Sequence, residues 1–168
     1  MSTPMEQAVE VLCQHLRDQQ LPARTAWSTE ARPQLEAPVI AVSLRGCESA
    51  PAGFSGYLGQ RLNPDTQAWE ERYGKTVKLT FGLDLYAAPG ADPAALEQIW
   101  AALAQACLSP GPKGLTVGTF SCGETDYDQQ ARLLKRPAQL VCTALLVSGS
   151  TQEQGEFLDV EIRGERTL

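Results

Sequence analysis

The clearest hydrophobic pattern in the chain occupies residues 75–87. Apolar side chains at Val77, Leu79, Phe81, Leu83 and Leu85 alternate with Thr76, Lys78, Thr80, Gly82, Asp84 and Tyr86. Successive side chains of a β-strand point to opposite faces, so the pattern predicts one buried and one solvated face. At about 3.3 Å per residue the run would span roughly 40 Å, far more than the usual strand of about five or six residues. We therefore predict a long strand or β-hairpin that extends beyond its own core.

Two helices are predicted, one on each side of this strand in the sequence. The first begins at the capping box Thr3-Pro4-Met5-Glu6 and continues to about Gln20, with one apolar stripe that packs on a sheet. The second begins at Asp92-Pro93, where an N-cap side chain precedes a proline at the first helical position, and ends near Leu108. Both helices are expected to cover the same sheet.

Further strands are expected from short β-rich or alternating segments. They lie at residues 21–27, 38–47, 115–122, 138–148 and 157–162, and a polar turn is expected at 123–128. The chain thus combines two helices with several strands, one of which forms a long β-hairpin or strand extension. We expect one domain over residues 1–148 and a C-terminal extension with an extra strand over 149–168.

Residues 48–74 are predicted to form a long loop, with a short helical turn after Asp65. Long loops in compact domains are uncommon unless they have a function. This one contains the aromatic residues Phe54, Tyr57, Trp69 and Tyr73. Such side chains would either pack back on the domain or contact a partner, and the sequence leaves both readings open.

The composition of the chain argues against nucleic acids and membranes as partners. The net charge is −6, from 14 basic and 20 acidic residues, and only Arg132, Lys135 and Arg136 cluster, so specific nucleic-acid binding is not expected. No segment approaches the roughly 18 apolar residues that span a bilayer, and the N-terminus has neither a basic segment nor an apolar run. We expect a protein of a reducing cytoplasm that does not bind a membrane.

Residues with catalytic potential are few. The five cysteines, Cys13, Cys47, Cys107, Cys122 and Cys142, are scattered without a C-x-x-C pair, as reduced core thiols are. His15 is the one histidine, and the acidic residues 124–128 do not follow a calcium-loop pattern. We expect no metal, no cofactor and no catalytic site. The alternative is a small α+β enzyme or ligand-binding domain that uses His15 with one of the cysteines.

The order of these elements resembles the tail terminator, or tail completion, proteins of long-tailed bacteriophages and prophages. The likeness covers roughly residues 3–148. It is carried by Tyr73-Gly74-Lys75, by the strand end Leu83-Asp84-Leu85-Tyr86, and by the turn from Cys122 to Asp128 before a hydrophobic strand. The segment after Gly149 departs from the family pattern.

The resemblance implies an α+β fold class, with a mixed, mostly antiparallel sheet flanked by two helices. It also implies a structural subunit that caps the tail tube as a hexameric ring and joins it to the head connector. Partners would be other copies of the chain, the tail tube protein and the head–tail connector, in the bacterial host cytoplasm during assembly and then in the virion tail. Ring closure would use the edge of the 75–87 strand and the 48–74 loop. The predicted interface comprises Phe54, Tyr57, Trp69, Tyr73, Lys78, Thr80 and Asp84. Another neck or baseplate subunit would share this logic.

Overall fold

The first helix begins at the predicted capping box. In the computed structural model, which describes residues 3–25, 35–51, 56–108, 110–151 and 157–163, α1 spans Pro4–Asp18. The Thr3 backbone N–H donates to Glu6 Oε2 at 2.7 Å, and the Glu6 N–H donates to Thr3 Oγ1 at 3.2 Å. These bonds satisfy backbone donors that the helix itself leaves unpaired. The second helix, α2, spans Pro93–Leu108 and begins after Asp92, whose carboxylate accepts from the Ala94 N–H at 3.1 Å.

Nine strands in the described residues form one sheet. They are β1 Ala23–Arg24, β2 Val39–Pro51, β3 Tyr57–Leu62, β4 Trp69–Ala87, β5 Thr116–Cys122, β6 Asp126–Asp128, β7 Leu133–Arg136, β8 Ala138–Thr151 and β9 Phe157–Arg163. The β1–β2 pair is parallel and the other pairs are antiparallel. The predicted α+β class is therefore confirmed, while the expected polar turn at 123–128 contains the short strand β6.

Strand β4 is the centre of the sheet over almost its whole length. One of its edges pairs with β2 over residues 75–86 and with β3 over 69–73. The other edge pairs with β8 over residues 70–82 and with β7 over 85–87. The prediction of a long strand is confirmed, but the prediction that its edge joins a neighbouring subunit is wrong, because the chain itself uses both rows of backbone hydrogen-bonding groups.

Strands β2 and β3 lie end to end along the same side of β4. Pro51 pairs with Lys75 and Tyr57 pairs with Tyr73, so the chain continues in the same direction after β2. The hairpin closes where Leu62 faces Trp69. The loop predicted at 48–74 is therefore wrong for most of its length: the segment includes the end of β2, all of β3 and the start of β4. The turn after Asp65 is not helical, and β4 begins at Trp69.

The core lies between the sheet and the two helices. All five apolar residues of the alternating run are buried on this face, together with Leu12, Leu16, Leu103, Leu140 and Cys142. The long apolar face of β4 and the apolar stripes of both helices thus bury one another, which is the main source of stability in such a layered fold.

The opposite face of β4 is only partly solvated. Thr76 and Lys78 are exposed as predicted, but Gly82, Asp84 and Tyr86 are buried. Tyr86 belongs to a second apolar cluster with Ala131 and Leu133, against which Leu35 and Ala41 pack. Alternation along a single strand cannot show that residues distant in sequence cover half of its polar face.

Candidate assembly surface

The hairpin at residues 57–76, hereafter the arm, extends past the helix-covered core. Val77 is the first residue of β4 in the core cluster, so eight residues of this strand, from Trp69 to Thr76, lie outside it. At about 3.3 Å per residue these eight residues span roughly 26 Å. The arm is therefore a sheet extension with a face that neither helix buries.

The helix-side face of the arm carries four large side chains. Tyr57 and Tyr73 pair across the strands, with ring centroids 5.6 Å apart in an edge-to-face arrangement, and Leu62 pairs with Trp69 near the tip. Trp69 is 58% exposed, Tyr57 44% and Leu62 41%. Trp69 and Tyr73 have the same parity along β4 as Val77, so this patch continues the row of core-facing positions beyond the core. Gln60 and Glu71 face each other between the two pairs, so the surface combines aromatic, aliphatic and polar side chains. Exposed aromatic side chains with polar neighbours are common at interaction surfaces.

The arm has an ordered turn at its tip. The Asn63 N–H donates to the Ala68 carbonyl at 2.9 Å, and the Gln67 N–H donates to the Asn63 carbonyl at 2.9 Å. The Asn63 side chain accepts from the Asp65 N–H at 2.9 Å and donates to Glu70 at 2.6 Å. Farther down the arm, the Tyr73 hydroxyl donates to Glu71 at 2.8 Å, and this hydrogen bond raises the pKa of Tyr73. Trp69 and Leu62 are thus held by a hydrogen-bonded hairpin end.

The other face of the arm is packed by the chain itself. Leu58 lies across Gly74, where a Cβ atom would come within 2.5 Å of Leu58 Cδ1 and 3.4 Å of Leu145 Cδ1. Val147, opposite Gly74 on β8, is buried. A side chain at position 74 would displace Leu58, so the glycine permits this packing. Leu58 is still 39% exposed, so this face is only partly filled by the chain, while Trp69, Tyr57 and Leu62 are exposed on the other face.

The predicted interface residues do not form one surface. The structure brings Tyr57, Trp69 and Tyr73 together on the helix-side face of the arm. Lys78 and Thr80 lie on the opposite face of β4, where Lys78 Nζ is 3.9 Å from Glu48 Oε2. Phe54 falls outside the described residues.

Asp84 occupies a buried ion-pair cluster instead of a surface. Its side chain is 9% exposed, Arg45 Nη2 lies 2.5 Å from Oδ2, and Lys135 Nζ lies 3.8 Å from the same oxygen. Arg45 is the extra residue at an irregularity in β2, where the register shifts between Leu44 and Gly46. It crosses Gly82, where any Cβ atom would collide with the guanidinium. Burial makes Asp84 a structural residue of the sheet, held by charges from β2 and β7.

Sequence reasoning missed two important residues. Leu62 was treated as part of a loop, although it immediately precedes Asn63-Pro64-Asp65, a typical turn sequence that closes a hairpin. Arg45 had no signal of its own, since its role depends on a bulge and on a glycine 37 positions away. The turn sequence after Leu62 could have placed this residue in a hairpin. No local pattern could have revealed the contact of Arg45 with Asp84.

The cysteines and His15 are dispersed through the fold. Cys13, Cys107 and Cys142 are buried, while Cys47 and Cys122 are exposed. Burial raises the pKa of Cys107 to about 12 and that of Cys142 to about 11, and it also raises the pKa of Cys13. A nucleophilic cysteine requires the opposite shift, because the thiolate is the reactive form. Nε2 of His15 is buried and has no hydrogen-bond partner in the described part of the chain.

Other features of the described residues add no second site. A cavity of about 460 Å³ opens between the end of α1 and the start of β2 and is lined by Arg17, Arg24 and Glu36 among others. Arg17 there donates to the Ala23 carbonyl at 3.0 Å, which ties α1 to β1. Among the residues described, His, Cys, Asp and Glu form no group of three that could hold a metal ion, and neither helix is long and apolar enough to cross a membrane.

Comparisons with known proteins complete these observations. No protein-family model matches the chain, and the curated proteins contain no match to it.

Proposed function

We propose that this protein is a structural subunit of a phage or prophage tail, of the tail terminator type. Copies of the chain would form a ring, six in the family that the sequence resembles, which caps the tail tube and receives the head connector. The ring would act by presenting binding surfaces of defined shape to the tube and the connector, without a catalytic step or a cofactor. Assembly would take place in the cytoplasm of the bacterial host and end in the virion tail.

The observation that carries this proposal is the arm. A Trp, two Tyr and a Leu lie on a hydrogen-bonded hairpin outside the core, on the face that would otherwise be covered by a helix. Interface hot spots are enriched in Trp and Tyr and gain their energy when they become desolvated against a partner. A protein that only needed a stable fold would gain little from a sheet that extends about 26 Å beyond its core and carries exposed aromatic side chains.

The charge balance supports a conduit role. With a net charge of −6 per chain, a ring of several copies would carry a strong negative potential. Such a ring would repel DNA phosphates and leave a passing duplex unbound. Burial raises the pKa of Cys107 and Cys142, which argues against these two thiols as nucleophiles.

The proposal is tested with the purified chain and preformed tubes of a tail tube protein from the same phage. We expect light scattering across a concentration series to show self-association, and negative-stain images to show rings at tube ends. A chain that remains monomeric at every concentration and ignores tube ends would refute the proposal. A chain that binds a connector or baseplate component but never a tube end would instead identify another subunit of the particle.

A further inference from the structure

The arm is one half of a four-stranded sheet with two unpaired edges. Beyond the core, β3 pairs with β4, β4 pairs with residues 145–151 of β8, and β8 pairs with β9, and each pairing is antiparallel. We call these four strands the arm sheet. In the described residues, β3 has no strand partner except β4, and β9 has none except β8. The outer N–H and C=O groups of such edge strands are a template for pairing with a further strand.

The two edges of the arm sheet lie at the same level. Gly59 on β3 pairs with Arg72 on β4. Arg72 also pairs with Gly149 on β8, which pairs in turn with Asp159 on β9. Three antiparallel pairings separate the two outer strands, so β3 and β9 run in opposite directions. When two copies stand side by side in the same orientation, β9 of one copy and β3 of the next are therefore antiparallel neighbours.

The undescribed residues next to the arm sheet cannot pair along residues 60–62 of β3. Residues 52–55 lead back to Gly56, and at about 3.8 Å per residue they extend roughly 10 Å from their ends. Arg61 is five positions from Gly56, which is roughly 16 Å along the strand. Residues 152–156 connect β8 to β9 and extend about 11 Å. A strand outside β3 would lie three strand spacings from β8, or roughly 14 Å.

The other undescribed segments begin even farther from residues 60–62. Residues 164–168 follow Arg163, at the base of the arm sheet, and can extend about 19 Å. The outer side of Arg61 is roughly 28 Å from there, across four strand spacings and six positions along the strands. Residues 26–34 adjoin β1, at the opposite end of β2 from the arm. Residues 1, 2 and 109 adjoin the two helices. The edge of β3 at 60–62 is thus available only to another molecule.

The outer strands of the arm sheet meet the requirement for ring closure. A ring needs a contact between two different surfaces on opposite sides of each subunit, and β3 and β9 are two such surfaces. Pairing of β3 with β3 about a two-fold axis would close a dimer and leave every β9 edge unpaired. The register shift of β3 lies between Tyr57 and Gly59, so residues 59–62 remain a regular stretch that can accept a further strand.

We infer that β3 of one copy pairs antiparallel with β9 of the next copy, so that the arm sheets of a ring join into one continuous sheet. This inference rests on the proposed function and identifies the seam through which its ring closes. Leu62 lies on β3 itself and Trp69 is its partner on β4, so both exposed side chains come within reach of the adjoining strand. Strand β4 stays within each subunit, paired on both edges.

Hydrogen exchange of backbone amides tests the seam in the unaltered chain. Exchange is measured at the lowest concentration, where the chain is monomeric, and on rings at tube ends. Peptides that cover β3 and β9 are compared with one that covers β6, an edge strand outside the arm sheet. We expect exchange in β3 and β9 to slow at least about tenfold on assembly, with no change in β6, because newly hydrogen-bonded amides exchange only when the structure opens.

Equal exchange rates of β3 in the monomer and in the ring would overturn the seam. Rates that are fast in both states would show that the edge stays open in the ring. Rates that are slow in both states would show that the chain covers this edge by itself.

Crosslinking between two differently labelled chains tests which strands meet. Both chains carry Cys47→Ser and Cys122→Ser, which remove the exposed native thiols. One chain carries Gln60→Cys on β3 and the other Val160→Cys on β9, and the assembled mixture is treated with a short bismaleimide. The matched control replaces Val160→Cys with Leu108→Cys, a position on α2 that is 82% exposed. The products are mapped by mass spectrometry.

We expect at least about tenfold more mixed dimer with Val160→Cys than with Leu108→Cys, because a formed interface raises the effective concentration of the two thiols. Equal yields from the two mixtures would overturn the seam. A Gln60→Cys chain that crosslinks mainly with itself would also overturn it and would show that β3 meets β3.

Failure of the seam is distinguishable from failure of the proposed function. If rings form at tube ends without slower exchange in β3 and without the mixed crosslink, the ring uses another surface and only the seam is wrong. If the chain neither self-associates nor binds tube ends, both proposals are wrong.

Discussion

The two halves of β4 have the same secondary structure and different environments. Residues 77–87 are covered by α1 and α2 on one face and, at 82–86, by a second cluster on the other. Residues 69–76 continue the same strand with paired neighbours on both edges, yet Trp69 is 58% exposed and neither Trp69 nor Tyr73 belongs to the core cluster of the described residues. A strand can thus be saturated in backbone hydrogen bonds while its side chains still lack a partner. We call residues 77–87 of β4 and the segments that cover them the body. The body accounts for the stability of the fold, whereas the arm is the part that we assign to association.

The largest difference is expected between the reaction rates of the buried and the exposed cysteines. Cys107 and Cys142 lie in the helix-covered body, so they should react with a disulfide reagent only when the core opens, roughly a thousandfold or more slowly than Cys47 and Cys122. Reaction of all five thiols at similar rates would mean that the body is not closed as described. The rates can be followed spectrophotometrically at pH 8, with denatured protein as the reference.

The same thiols predict a loss of stability in alkali. Burial raises the pKa of Cys142 to about 11 and that of Cys107 to about 12, from an ordinary value of 9.0, so the fold favours the neutral thiol. This contribution is fully present below about pH 9 and is lost as the pH rises through 11 and 12. Urea titrations between pH 8 and 11 should show a falling free energy of unfolding. In the double variant Cys107→Ala/Cys142→Ala, the free energy of unfolding should decrease less over the same pH range.

A truncation in the body should cost far more stability than one in the arm. Phe81→Ala removes a fully buried ring and should lower the free energy of unfolding by about 3 to 5 kcal/mol, or roughly 10 °C in melting temperature. Calorimetry or urea unfolding measures the change. A loss below about 1 kcal/mol would contradict the close packing of this part of β4.

The Asp84 cluster should show an intermediate effect. Arg45→Ala leaves the buried Asp84 carboxylate with Lys135 at 3.8 Å as its charged partner, so we expect a loss of about 2 kcal/mol. The matched control is Lys78→Ala, which removes an exposed ion pair on the same face and should change stability by less than about 0.5 kcal/mol. Equal effects of the two variants would show that burial does not strengthen the Arg45 pair.

The smallest effect on stability, and the largest on association, is expected at the arm. Trp69→Ala should change the free energy of unfolding by less than about 0.5 kcal/mol, because the side chain is more than half exposed. It should weaken self-association by about 2 kcal/mol, or roughly thirtyfold, as loss of an interface hot spot does. Leu108→Ala is the control with no expected effect on association. If Trp69→Ala destabilises the monomer as strongly as Phe81→Ala, the arm belongs to the core.

The local elements were predictable because their signals lie close together in sequence. The capping box of α1, the proline at the start of α2 and the alternation of residues 77–85 each involve neighbours within one turn or one strand. The loop prediction for 48–74 failed because the glycines and prolines of this segment indicate a loop. Its strand partners lie elsewhere along the chain, at 75–78 for the end of β2, at 69–73 for β3 and on β8 for the start of β4. The structure places Tyr57, Trp69 and Tyr73 of the predicted interface on one face of the arm, whereas Asp84 is buried under residues that are distant in sequence.

The sequence by itself determined which residues would be helix, which strand would be long, and which face of that strand would be apolar, since these follow from side-chain periodicity and capping within short segments. Only the tertiary structure decided how far that apolar face is covered. On β4 the core cluster ends at Val77, so the same alternation contributes to the core on one side of this residue and to a surface with exposed Trp69 on the other. Burial depends on which distant segments pack above a residue, and periodicity carries no information about them.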